Sequence, residues 1–264
     1  MIPTAPSHLP MPGDAPAVVP AATVIIFRRA AGGGPPELLM VQRSREMRFA
    51  GGAAVFPGGR VDPEDRELAQ ALLPGEPVEM AAARIAGVRE TLEETGLMIA
   101  TRAPVPAAQA AEGRRMLLEA KALAPVLDAF GWQLRPEALV FYAHWCPIWV
   151  NGFDTRFFVF DIGTGAVDIA VDSTENTRLF WASAADALDM ARQGEISVIF
   201  PTQRNLERLS QYANFSDALA DIAAHPVRRV HPAIEQREGA EWLVIRDGHG
   251  YPVQGQPMAT VRRG

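Results

Sequence analysis

Arg89-Glu90-Thr91-Leu92-Glu93-Glu94-Thr95-Gly96-Leu97 is the stretch on which the reading of this chain turns. From about Glu79 onward, Ile85, Val88 and Leu92 recur at three- and four-residue spacing, which predicts a helix ending near Thr95. Gly96 stands where a left-handed C-terminal cap is expected. A helix turns about 100° per residue. With Glu90 at zero, Glu93 falls at about 300° and Glu94 at about 40°, while Ile85, Val88 and Leu92 lie at about 220°, 160° and 200°. The helix is therefore expected to pack through its aliphatic stripe and to project three carboxylates from the opposite side.

Like charges at that spacing destabilise an isolated helix. A divalent cation would reverse the sign of the interaction, and hard cations such as Mg²⁺ are usually held by one or two carboxylates together with substrate phosphates. An acidic cluster taken alone reads most simply as a solvated helix face. The arginine before it and the glycine after it, at fixed spacing, shift the reading toward a metal-bearing platform.

Outward from this helix, the pattern alternates between strand and helix. Residues 22–27 are β-branched and apolar, residues 32–36 form a Gly-Pro turn, and residues 37–42 return as a second strand. Residues 49–59 read as a short apolar strand bracketed by glycines, and 62–77 as a polar surface excursion. Residues 97–99 read as a restarted strand and 107–130 as helical. Strands are expected at 139–145 and 156–161, short helices at about 184–192 and 202–212, and a last strand at 242–246. The expected organisation is a flexible leader over 1–20 and one α/β domain over 21–264, with insertions at about 62–80 and 101–137.

Composition narrows the class. Of 264 residues, 48% are hydrophobic, enough for a large core, and 25 Lys+Arg against 31 Asp+Glu give a net charge of −6. That excludes a disordered polyelectrolyte and removes the global field of a generic nucleic-acid binder, so neither nucleic acid nor membrane is an expected partner. No apolar run approaches the ~20 residues that span a bilayer. The N-terminal residues lack the basic and apolar regions of a secretory signal. A single cysteine, Cys146, cannot close an intramolecular disulfide and is expected to be a small apolar filler in a strand. The chain is expected to be soluble and cytoplasmic.

Gly59 followed, after a gap, by Arg89-Glu90-x-x-Glu93-Glu94-x-Gly96-Leu97 resembles the Nudix box, Gly-x5-Glu-x7-Arg-Glu-U-x-Glu-Glu-x-Gly-U with U aliphatic. Thr91 stands at the first of the aliphatic positions in this half. The gap from Gly59 to Arg89 is wider than the box usually has. The position eight before the arginine, where the box carries a glutamate that braces the arginine, is Ala81, with Glu79 two residues earlier. The resemblance implies the Nudix fold, an α/β/α sandwich around a mixed β-sheet, here with a helical insertion. It also implies Mg²⁺ or Mn²⁺ held by Glu90, Glu93 and Glu94, with the carbonyl of Gly58 or Gly59 as a further ligand. Arg89 would orient a glutamate by ion pairing. The general base would be Glu93 by its place in the box, or Glu175 on a later loop.

Upstream, residues 39–59 are similar to the coenzyme A signature of some Nudix enzymes, Leu-Leu-Thr-x-Arg-(Ser/Ala)-x3-Arg-x3-Gly-x3-Phe-Pro-Gly-Gly. Arg43, Ser44, Arg48, Gly52, Phe56, Pro57, Gly58 and Gly59 fall in register, and Met40 and Val41 depart from it. Arginines bind phosphate bidentately, and glycines let backbone approach it closely. Arg43, Arg48, Phe56, Gly58 and Gly59 are therefore the expected substrate-binding residues. Arg45 reads as a surface charge. His144-Trp145, residues 153–158, and Glu175 followed by Trp181 fit the layout of a long branch similar to the animal peroxisomal coenzyme A diphosphatases. His144 itself is expected to be a packed strand histidine. The resemblance implies metal-dependent hydrolysis of a diphosphate in coenzyme A or acyl-coenzyme A. It leaves open an ADP-ribose- or NADH-type pyrophosphatase and a non-catalytic nucleotide sensor, and it allows a homodimer.

Overall fold

The computed structural model describes residues 18–44, 50–146, 152–163, 176–246 and 249–261. Strand β1 (Val19–Arg28) sets the layering, because its side chains alternate between two apolar clusters. Ala22, Val24 and Ile26 face one side and Ile25 and Phe27 the other, all of them buried. A strand buried on both faces reads as a continuous apolar run, which is why 22–27 shows no polar alternation.

Around β1 are β2 (Glu37–Arg43), β3 (Ala54–Val55), β4 (Gly58–Arg60), β5 (Val140–Trp145), β6 (Phe153–Asp161), β7 (Asn176–Ser183) and β8 (Arg229–Val230). They form one sheet in the order β3-β2-β1-β6-β5-β8, with β4 joined to β1 and β7 to β2. β1–β6 and β5–β8 are parallel and the other pairs antiparallel, so the sheet is mixed. On one face lie α1 (Pro63–Leu72), α2 (Val78–Thr95), α3 (Ala107–Ala120) and α4 (Ala124–Phe130). The other face carries α5 (Ala184–Gln193), α6 (Phe200–Leu209) and α7 (Phe215–Ala224). This is an α/β/α sandwich. A small antiparallel sheet of β9 (Ala233–Arg237), β10 (Ala240–Val244) and β11 (Gly255–Pro257) follows.

Each fully buried Ile, Leu or Phe contributes about 1.5–3 kcal/mol. Ile85, Val88 and Leu92 are all at 0% exposure on the sheet side of α2, so the expected stripe is the one that anchors this helix. Gly96 adopts φ 71° and caps α2 by donating its N–H to the Leu92 carbonyl.

Three expectations are corrected. The stretch 62–77 is not simply a polar excursion, for α1 occupies most of it. Its short apolar content, Leu68, Ala69 and Leu72, hides a helix that starts at Asp62 with Pro63 at its first position. Residues 97–99 are not a strand: they carry no ladder, and the nearby bridge joins Thr101 to Leu134. β7 and α7 were not expected from the sequence; β7 pairs along the whole of β2. Among the described residues, no helix is long and apolar enough to cross a membrane.

Candidate metal and diphosphate site

The C-terminal half of α2 passes over β4, and Arg89 becomes the centre of what gathers there. Its side chain is buried, and a buried guanidinium needs every donor met. Nε and Nη2 form a fork on Asp65, at 2.9 Å to Oδ1 and 3.0 Å to Oδ2. Nη2 also donates to the Arg60 carbonyl at 2.8 Å and lies 3.3 Å from Asp62 Oδ2. Nη1 donates to Glu90 Oε1 at 2.9 Å and to Glu93 Oε2 at 3.3 Å. Burial alone would weaken this cation. The Asp65 hydrogen bonds and the charges of Glu90, Asp65 and Asp62 override burial and hold it firmly protonated.

Asp65 is the residue the sequence reading missed. It is 1% exposed and comes from α1, inside the supposed excursion. Besides gripping Arg89, its Oδ2 accepts the Asp62 backbone N–H at 2.9 Å and so closes the start of α1. The signal was present as Asp62-Pro63-Glu64-Asp65, a helix-start pattern with acid in the first turn. Glu79, the nearest acid to the expected bracing position, instead pairs with Arg66 at 3.1 Å on a more exposed part of the surface.

The three carboxylates of α2 occupy different environments. Glu90 lies against Gly59, where an added Cβ would sit 2.4 Å from its Oε1, so any side chain there would displace the Glu90 carboxylate from its present position. Burial, opposed by Arg89 but reinforced by Glu94 and Glu93, pushes the Glu90 carboxyl up to about 8. Glu94 is buried, with Oε2 accepting the Gly58 N–H at 2.9 Å and Oε1 accepting Asn176 Nδ2 at 3.4 Å. Glu93 is the most open of the three, with its side chain 35% exposed. Its backbone carbonyl accepts Arg114 Nε of α3 at 2.8 Å, which ties the helical insertion to the site.

Asn176, at the start of β7, is a second residue the sequence did not single out. It faces Arg43 across the β2–β7 ladder, where a register shift falls between Gln42 and Arg43. The structure thus brings Arg43 to the strand neighbour of the residue that holds Glu94. Arg43 Nε and Asn176 Oδ1 are both buried without a hydrogen-bond partner. Phe56 is 2% exposed and packs in the apolar cluster with Phe180 and Ile196, so its ring supports the loop from within and is not offered to a ligand. Arg48, Arg45 and Glu175 lie outside the described residues.

A separate cluster lies farther along the same sheet. His144 Nε2 is 2.8 Å from Asp154 Oδ1, and Cys146 Sγ donates to the same oxygen at 3.3 Å. His144 is a buried strand residue, as expected, and burial lowers its pKa against the pull of Asp154. Cys146 is buried as expected but is not surrounded by apolar groups alone. Burial pushes its thiol up to about 11, outside the range of a nucleophilic thiolate.

No family model matches the chain. It is 24% identical to the acyl-coenzyme A diphosphatase NUDT19 of Gallus gallus, in an alignment covering 69% of this chain and 63% of that protein. The chain therefore spans less than two thirds of the length of this relative. Among solved structures, a NUDIX hydrolase from Alicyclobacillus acidocaldarius is 28% identical with a TM-score of 0.66, over 78% of this chain and 97% of the other. A MutT protein from Methanosarcina mazei is a looser likeness, at 17% identity and a TM-score of 0.43 over 75% and 96%. The motif on α2, the sandwich that presents it and the similarity to the Alicyclobacillus enzyme place this chain in the Nudix superfamily.

Proposed function

We propose that the chain hydrolyses the diphosphate bond of a nucleoside diphosphate derivative with Mg²⁺ or Mn²⁺. We further propose coenzyme A or an acyl-coenzyme A as the substrate, giving 3′,5′-ADP and 4′-phosphopantetheine or its acyl form. The observation that carries the reading is the buried Arg89 holding Glu90 and Glu93 on one nitrogen, with Glu94 fixed beside them by the Gly58 N–H.

The donor chemistry suits a hard divalent cation. Glu90, Glu93 and Glu94 offer carboxylate oxygens only, and the Gly58–Gly59 backbone lies against two of them. Asn176 Oδ1, a buried acceptor with no donor, adds an unmet oxygen next to Glu94. Glu90, Glu93 and Glu94 would hold the ion, which when bound polarises the diphosphate and acidifies water.

The remaining work belongs to the chain. Arg89 positions Glu90 and Glu93 through one nitrogen and, at Glu90, favours the charged carboxylate against the burial that opposes it. Glu93, the most exposed of the three, accepts the proton of the attacking water as the water oxygen bonds to phosphorus. The P–O bond of the anhydride breaks, and the departing phosphate carries the displaced electron pair. Arg43, with one guanidinium nitrogen unpartnered, is suited to a phosphate of the substrate. Asn176 fixes the rotamer of Glu94. Positioning and electrostatics of this kind dominate phosphoryl-transfer catalysis.

The coenzyme A assignment draws on the residue register over 39–59 and on the NUDT19 relative. A panel of coenzyme A, acyl-coenzyme A, ADP-ribose and NADH, each with Mg²⁺ and with Mn²⁺ and with products identified by mass, tests both layers. Coenzyme A or its acyl ester is expected to turn over fastest. Preference for ADP-ribose or NADH would remove the coenzyme A reading and keep the hydrolase. Binding without turnover of any of them would leave a nucleotide sensor.

A further inference from the structure

We propose that His144, Cys146 and Asp154 form a second cation site, distinct from the glutamates of α2 and suited to a borderline-soft ion such as Zn²⁺. The three side chains come from the facing ends of β5 and β6. β5 and β6 pair His144 with Arg156 and Trp145 with Thr155, which carries Cys146 to the level of Asp154. Cys146 follows the last residue of β5 and keeps the ladder through its N–H to the Val230 carbonyl, so it continues the alternation that puts side chains two apart on one face, with His144. One imidazole nitrogen, one thiol sulfur and one carboxylate oxygen lie within 4.8 Å of one another, and all three residues are buried. Among the described residues, these are the only three His, Cys, Asp or Glu side chains that converge this closely; Glu90, Glu93 and Glu94 do not.

The observed separations fit a metal in place of the protons. Zn²⁺ binds nitrogen and oxygen at about 2.0–2.2 Å and sulfur at about 2.3 Å. Tetrahedral ligands at those lengths stand a little over 3 Å apart, close to the 2.8 Å and 3.3 Å contacts that converge on Asp154 Oδ1. An entering ion displaces the thiol proton to solvent. The Nε2 proton now donated to Oδ1 is also lost to solvent while Nδ1 takes one up, so the imidazole stays neutral and both Nε2 and Oδ1 become free to ligate.

The surroundings hold the ligands in place. Arg229 Nη2 donates to the other oxygen, Asp154 Oδ2, at 3.1 Å, which leaves Oδ1 turned toward His144 and Cys146. An outer partner of this kind orients a ligating carboxylate. The Cys146 backbone N–H donates to the Val230 carbonyl at 2.9 Å, and the Phe141 ring lies 6.2 Å from that of His144. The Arg229 side chain is 53% exposed, so it can swing aside for an ion to enter. Sulfur and nitrogen donors select against Mg²⁺, which prefers oxygen and octahedral geometry. The two sites should therefore load different ions in one solution.

Co²⁺ added to chelator-treated full-length protein in excess Mg²⁺ tests this, because cobalt reports a thiolate ligand by a charge-transfer absorption in the near ultraviolet. The chain has one cysteine, so the band identifies its ligand. One equivalent of Co²⁺ is expected to produce the band, and Zn²⁺ to bleach it. Cys146→Ser should abolish it. Asp154→Asn should weaken Co²⁺ binding about tenfold or more, the scale on which disturbed metal shells lose affinity. The double variant Glu90→Gln/Glu93→Gln should keep the band. Absence of the band in folded wild-type protein, checked by circular dichroism, overturns the proposal. Its loss in the glutamate double variant while that variant remains folded overturns it as well.

Discussion

Two arginine–aspartate pairs lie on the same face of the sheet, and they do opposite things with burial. Arg89 is enclosed, with a side chain 5% exposed, and is gripped by a 1% exposed Asp65. Arg229 is 53% exposed and rests on Asp154 from the solvent side. The enclosed guanidinium cannot exchange a lost partner for water, so it locks four carboxylates and a carbonyl into one arrangement. The exposed one can leave, and the buried aspartate it touches, with the histidine and thiol bonded to that aspartate, is where we place a second cation. The difference teaches that a charge organises a site when it is trapped and gates one when it is free.

The largest effect should come from breaking the enclosed pair. Asp65→Asn leaves Arg89 buried with a neutral partner and is expected to destabilise the fold by about 3–5 kcal/mol, read by chemical denaturation. Next, Glu93→Gln should lower the metal-dependent hydrolysis rate about 10²–10⁴-fold with little loss of stability, the range that a positioned general base contributes. An unchanged rate would show that Glu93 is not the proton acceptor. Gly59→Ala drives a methyl into Glu90 and should cost about 1–3 kcal/mol of stability, accompanied by weaker activation by Mg²⁺. The exposed partners set the low end: Arg229→Ala and Glu79→Gln should each change stability by about 1 kcal/mol or less. If Glu79→Gln proved as damaging as Asp65→Asn, the bracing group would have been assigned to the wrong acid.

How far the sequence foretold this follows from where the physics is local. The α2 helix was legible because Ile85, Val88 and Leu92 repeat at helical spacing and Gly96 ends them. The carboxylate face was legible in part: Glu93 is open as the helical wheel implies, whereas Glu94 is buried against the Gly58 N–H. Asp65 was not, since its contact with Arg89 spans 24 residues and α1 carries too little apolar periodicity to announce itself. Residues 97–99 are apolar and look like a strand, but Met98 and Ile99 are buried as coil, so hydrophobicity alone does not supply a ladder partner. Phe56 shows a converse failure: a motif position in register turned out to be a core residue. Asn176 was invisible because only its register opposite Arg43 brings it to Glu94.

The helix Pro63–Leu72 has a consequence for anyone who would shorten this protein. It looks like a removable ornament between the glycine strand and the acidic helix. It is instead the source of the counter-charge that the usual motif keeps within its own span. Excising it would take away the two-oxygen fork on Nε and Nη2 while the Glu90 and Glu93 oxygens stay on Nη1, so a minimal version of the domain would first need a replacement anion grafted on the Nε side of Arg89.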